Sequence, residues 1–456
     1  MNITTIQSFA SVLLASSSSI SECQSDVSCP ALYHCVEGAC QHKGIFPLEP
    51  RETIGSVLMM TLVGIANAGG MGGSFIAAPI LMIMFNYAPG HAIRLVYCVV
   101  FGGSLGNYLI NLLSKRSTSA RPLIDYDVAL IALPMLLCGT SIGVLLNRIT
   151  PPIVTIMGLV YLMCKSFKSL WNKACKQYHR ENLPKSALLQ EISTEAGLEL
   201  RDWGTTDRTR MAIYQDYYLA TTSPRMYQLT KEDGLLFPWR KYRQILLLLV
   251  LVIVMFLLKG TSSFKSVLGI SFCGKEYWIL YILTLSVCFL FEKRARDFLL
   301  EDAGFRQNTP LMASAEFKIT QQNAVQLRNV SLVGGILAGF LGIGGGTVMN
   351  PRLLDMGLSC ESAAATTGFF VIFTGFLSMF QTLLYGGLSI SEITFFSPLA
   401  FFGSLFITIA VKKLVKWLQR PSLVMFCLVS SVALGIIAIP SFSAYRTLQN
   451  PNMMFE

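Results

Sequence analysis

The sequence predicts an all-α polytopic membrane protein with about eight full spans and two glycine-broken hairpins, arranged as inverted-topology repeats. Three observations carry this. Only 14% of the 456 residues are charged, against roughly a quarter in soluble domains. Apolar runs of bilayer-crossing length, about 20 residues each, recur along the chain. Two of these runs are interrupted midway by glycines, GGMGG at 69–73 and GIGGG at 342–346.

The elements follow in order. Residues 1–21 hold the apolar stretch FASVLLA and read as a signal peptide, with a short core and no basic residue before it. The segment 22–53 is polar and carries Cys23, Cys29, Cys35 and Cys40. Four cysteines in so short a segment read as two disulfides with three possible pairings, on an extracellular or lumenal side. A zinc site completed by His34 and His42 is the rival reading; the targeting-like stretch ahead of the segment favours disulfides. The first membrane repeat spans 54–170 and a cytoplasmic loop spans 171–243. Two linking helices lie in 244–291 and a cytoplasmic connector in 292–328. The second repeat covers 329–440, and 441–456 is a tail. The loop 171–243 is a solvated connector in the plain reading; its aromatics make it the place for a protein partner if there is one.

If each broken segment enters and leaves on one face, and the cysteine segment lies outside, the remaining spans fix every loop. The inside loops then carry 25 Lys and Arg and the outside segments 7. Without the long loop the ratio is still 13 to 7. This is the positive-inside bias, and it accounts for the net charge of +10 without a nucleic-acid partner. The partners expected are the bilayer, a small anion and, for a channel-like or carrier-like protein, other copies of itself.

A shift of 272 residues superposes the two breaks. Ala66, Gly70, Gly72, Gly73, Pro79 and Leu81 meet Ala338, Gly342, Gly344, Gly345, Pro351 and Leu353. Further on, PMLLCGT from Pro134 matches PLAFFGS from Pro398, and Arg148 before Pro151 matches Arg420 before Pro421. The parity of the spans makes the first unit start outside and the second inside. Inverted repeats with discontinuous helices are the architecture of alternating-access carriers, with the site near the midplane.

A helix broken within the membrane exposes backbone groups that only protein or a water-filled cavity can satisfy. Its restarting N-terminus offers N–H donors and about half a positive charge, which suits an anion without any charged side chain. The candidate substrate-binding residues are therefore Asn67, Gly69, Gly70, Gly72, Gly73, Ser74 and Pro79 in the first half, with Asn107 on the following helix. In the second half they are Gly342, Gly344, Gly345, Gly346, Thr347, Asn350 and Pro351, with Thr366 beyond. Ser74 and Thr347 are expected to cap the restarting helices. The competing reading of the glycines is close helix packing. Arg94, at the start of a span, either attracts an anion or snorkels to the interface. Carboxylates are nearly absent from the apolar spans, which argues against a proton relay, a cation path or a membrane-embedded enzyme. No cofactor, metal or catalytic cluster is indicated. The alternative function is a non-transporting receptor or complex subunit.

The stretch GGILAGFLGIGGGTVMNPRLLDMGLSCESAAATTG, Gly334 to Gly368, resembles the signature of the sulfite exporter TauE/SafE family. IANAGGMGGSFIAAPILMIMFNYAPGHAIRL is similar to the family's first copy, and the segment ending in HKGIFPLEP to that of some eukaryotic members. The resemblance covers roughly 54–440 apart from the long loop. It implies a permease for sulfite, sulfonates or related organosulfur anions, with the glycines and prolines of the two breaks as its motif residues. Two departures from the pattern stand out. Arg94 and Leu95 stand where the second copy has Ala365 and Thr366, and Ser74 replaces a glycine.

Overall fold

The computed structural model describes residues 32–36, 39–70, 72–114, 122–182, 235–261, 263–272, 274–307, 319–418 and scattered positions between 422 and 441. The predicted signal peptide, Cys23, Cys29, most of the 421–440 span and the bulk of the long loop lie outside the described residues. A two-stranded antiparallel hairpin, β1 (Tyr33–Val36) and β2 (Ala39–His42), comes first, with Cys35 opposite Cys40. Eleven helices follow among the described residues: α1 (Pro50–Ala68), α2 (Ser74–Ile83), α3 (Pro89–Leu112), α4 (Tyr126–Ile149), α5 (Pro152–Asn182), α6 (Trp239–Lys259), α7 (Lys275–Gln307), α8 (Gln321–Leu341), α9 (Gly346–Asp355), α10 (Cys360–Leu384) and α11 (Ile390–Leu418).

Seven of these are long and apolar enough to cross a membrane. α7, expected to span over 276–291, is not among them. Only fifteen residues separate Glu276 from Glu292, after which the helix continues through Lys293, Arg294 and Arg296. Similarly, α5 runs past residue 170 to Asn182, and α8 begins at Gln321 rather than near 329. Apolar content marks where a helix meets lipid, whereas Lys, Arg, Glu and Gln are good helix formers that extend it into water.

Local chemistry sets the helix starts. Pro50 opens α1 after Glu49, whose backbone N–H donates to the Glu52 carboxylate at 2.8 Å in a capping box. Asp125 caps α4, accepting from the N–H groups of Asp127 and Val128 at 3.2 Å each. Thr320 caps α8 through Asn323 N–H at 3.3 Å.

The two halves interdigitate. α4 of the first half packs along α8 of the second, and α11 of the second packs along α1 and α3 of the first. Small residues line these seams. A Cβ on Gly139 would lie 2.3 Å from the Leu332 carbonyl oxygen, and one on Gly143 2.2 Å from that of Ile336. From the other side, Gly335 meets Leu136 and Gly339 meets Thr140. On the matching seam, a Cβ on Gly102 would lie 2.0 Å from the Ser397 oxygen, and one on Gly403 2.6 Å from Met60 Cα. In lipid, where apolar side chains gain nothing by leaving the solvent, such close backbone approach supplies the packing that holds helices together. The lipid-facing surfaces are apolar: Leu247, Val250 and Val254 on α6 and Phe402 and Phe406 on α11 are exposed.

Helix ends sort onto two faces. On one, Phe46 packs on Phe395 near the start of α11 (5.7 Å between centroids), His91 near the start of α3 meets Glu392 of α11, and Arg148 near the end of α4 meets Tyr385 after α10. On the other, Lys412 of α11 donates to Asn111 near the end of α3 at 2.7 Å, and Lys241 of α6 pairs with Asp127 of α4 at 2.5 Å.

Candidate functional site

The chain between α1 and α2 turns on glycines because an L side chain resists the conformation required. Gly70, Gly72 and Gly73 have φ of 76°, 77° and 71°, and between α8 and α9 Gly342 and Gly344 have 72° and 59°. These turns end α1 and α8 and bring the two breaks together. A Cβ on Gly346 would sit 2.6 Å from the Gly70 carbonyl oxygen. Val100 of α3 and Val371 of α10 each lie beside both Gly72 and Gly344, their methyls 2.9 to 3.5 Å from where Cβ atoms would be. All described residues of both breaks are buried.

Side chains cross between the halves to hold this centre. Ser74 Oγ donates to the Ile343 carbonyl at 2.8 Å. Asn350 Nδ2 donates to the Gly69 carbonyl at 3.1 Å, and Thr367 Oγ1 lies 3.2 Å from that of Gly70, with the Ala363 carbonyl of its own helix nearer at 2.8 Å. Tyr97 Oη donates to the Gly339 carbonyl at 2.5 Å, tying α3 to the last turn of α8. Two polar atoms at the start of α9 stay unsatisfied although buried: Thr347 Oγ1, on a residue 2% exposed, and Asn350 Oδ1.

The remaining expected residues divide. Asn67 lies beside Gly103 of α3 but spends one amide N–H on the Val63 carbonyl of its own helix, at 3.1 Å. Pro79 is buried within α2, and Pro351 is partly exposed within α9. Gly345 is right-handed, with φ −53°. Asn107 is engaged by Asn111 at 3.1 Å in a chain leading to Lys412, and its amide nitrogen faces Gly368. Thr366 points elsewhere: its hydroxyl accepts from the Asp125 N–H at 2.9 Å, at the start of α4. The expected caps are also corrected. Gly73 and Gly345 occupy the cap positions, neither with a side chain to offer, and Ser74 and Thr347 fall inside the helices. Three contributors were not singled out in the sequence: Thr367, Tyr97 and the Val100–Val371 pair. The TTG triplet at 366–368 was a signal for the first; nothing local marked the others, since their role depends on which helices cross.

A sequence model of the family described as sulfite exporter TauE/SafE matches residues 235–434. Curated relatives extend the similarity over both halves. Sulfite exporter TauE/SafE family protein 5 of Arabidopsis thaliana is 29% identical over 391 residues, covering 85% of this chain and 82% of the relative. Family protein 2 of the same plant is 26% identical over 423 residues, covering 87% and 84%. The resemblance read from the glycine breaks therefore holds over most of the chain. No solved structure matches it.

Proposed function

We propose that the chain is a transmembrane carrier of small anions, sulfite or organosulfur compounds such as sulfonates, working by alternating access about the paired glycine breaks. The observation that carries this reading is the meeting of the two breaks. Backbone turns, the start of α9 and the unsatisfied Thr347 and Asn350 oxygens converge at one buried centre. Broken helices tolerated at mid-depth are the mark of an ion path, and the names of the plant relatives point to the same class of anion.

The inverted repeat is part of the proposal and is supported by paired contacts. Gly139 packs on Leu332 as Gly403 packs on Met60; the partners are 272 residues apart. Arg148 donates to Tyr385 O at 3.0 Å on one face, and Lys412 lies 3.4 Å from Ser114 Oγ on the other. We place the N-terminus and the cysteine segment outside, with the four cysteines in disulfides, in accord with the charge bias of the loops.

Purified protein in sealed vesicles, offered sulfite, sulfate, thiosulfate and taurine in turn, is expected to show saturable flux for at least one. Gly73→Leu and Gly345→Leu, in protein that still folds, are expected to abolish it. Unchanged flux in both would remove the breaks as the site. A protein that moves no anion and co-purifies with a stoichiometric partner would instead be a receptor or complex subunit.

A further inference from the structure

On the face that carries the N-terminal hairpin, three cations gather from three helices. Lys259 ends α6, Arg148 lies near the end of α4, and Arg94 lies in the second turn of α3. Lys259 is 1% exposed and its Nζ has no hydrogen-bond partner. It is boxed by rings instead, 3.9 Å from the Phe256 centroid, 4.3 Å from Tyr281 and 5.0 Å from Tyr277. The box continues: Tyr277 Oη is 3.3 Å from Tyr385 Oη, and the Arg148 guanidinium lies 4.9 Å over the Tyr385 ring. Arg94 joins the cluster beside Tyr385: its Cδ lies 3.0 Å from where a Cβ on Gly387 would sit. Arg94 follows Ile93, whose carbonyl packs against Gly342. The chain of cations therefore runs from the buried Lys259 past the exposed Arg148 to Arg94, next to a residue that touches the second break.

The unsatisfied groups in this cluster share a chemistry. Lys259 Nζ, Arg94 Nε and Tyr281 Oη are buried without partners, and all three are donors. The acid that opens α11 on this face, Glu392, is already engaged: one oxygen is 2.6 Å from His91 Nε2 and the other accepts from Ser389 N–H at 2.8 Å. Aromatic faces ease the burial of an ammonium but leave its hydrogen-bonding capacity unused. Cations kept within membrane helices mark ion paths.

We propose that Lys259, Tyr281, Arg148 and Arg94 form an anion-recruiting mouth, separate from the glycine breaks, that takes a small oxyanion and passes it toward the second break. The passage to the break rests on the carrier reading above; the binding does not. The test uses sulfite and sulfate as probes on the full chain, with Lys259→Met, Lys259→Arg and Tyr281→Phe. In vesicles, Lys259→Met is expected to raise the apparent KM for sulfite about tenfold, the scale of electrostatic concentration in a charged cleft, with a much smaller change in maximal rate. It is also expected to flatten the dependence of KM on salt. Lys259→Arg should restore most of the affinity, and Tyr281→Phe should raise KM without loss of thermal stability. Wild-type KM and salt dependence in Lys259→Met, or failure of Lys259→Arg to restore them in a stable protein, would overturn the mouth. Binding in detergent, read as a sulfite-dependent thermal shift, separates the two proposals. A shift lost in Lys259→Met in a protein with no flux keeps the mouth and removes the carrier; flux with a shift unaltered by Lys259→Met does the reverse.

Discussion

The two glycine breaks are alike in residues and unlike in how they are held. The first receives an amide from Asn350 and a hydroxyl from Thr367, both donated by the second half. The second receives the Ser74 hydroxyl. In the repeat alignment, Ala78 stands where the second half has Asn350. The backbones differ too: Gly73 is left-handed where its counterpart Gly345 is right-handed. Each half thus donates side-chain hydrogen bonds to the other, but from different positions: Ser74 and Tyr97 from the first, Asn350 and Thr367 from the second.

The largest effect should come from alanine at the two non-equivalent cap glycines. At Gly73 the left-handed φ and a Cβ only 2.7 Å from a Val63 methyl predict a loss of about 2–4 kcal/mol. At Gly345 the conformation is ordinary and the nearest atom is a Leu136 methyl at 3.1 Å, so the loss should stay below about 1 kcal/mol. Thermal unfolding of both purified variants measures this, and equal losses would break the contrast. Next, Asn350→Leu leaves the Gly69 carbonyl without its amide donor and should cost about 1–3 kcal/mol, with a larger fall in flux than Ala78→Ser produces. Ser74→Ala removes a single bond to Ile343 and should cost about 1 kcal/mol by the same melt; a value above that of Asn350→Leu would invert the asymmetry.

The smallest effect lies outside the membrane. Lys43 sits 2.9 Å from Glu52 and 3.2 Å from Glu49 at the start of α1. Burial alone would lower its pKa, but the two carboxylates raise it above the ordinary lysine value. A raised folded-state pKa means the pair stabilises fully below the ordinary lysine pKa of about 10.4 and is lost as pH climbs through the higher folded value. Lys43→Met should therefore flatten the fall in melting temperature above about pH 10, with little change in flux.

Much of this was legible in the sequence because it rests on composition and on backbone needs that only glycine meets. The breaks, the spans and the alignment of halves all have this character. What was not legible depends on which helices cross. Thr366 and Thr367 are adjacent and alike, yet one accepts from the Asp125 N–H ahead of α4 and the other lies against the first break. Lys259 was not singled out in the sequence; its cage draws rings from α6 and α7, and its neighbours Tyr385 and Arg148 come from far along the chain. The helix ends were misplaced because hydropathy finds the bilayer and not the end of the hydrogen-bonded spiral.

The paired valines have a mechanical consequence. Val100 and Val371 each rest against both Gly72 and Gly344, so neither hairpin can swing without shouldering aside a residue the other also leans on. The two breaks thus share one apolar wedge, so a side chain that is displaced by one is displaced from the other as well. The contact resides in two methyl-bearing side chains that carry no charge.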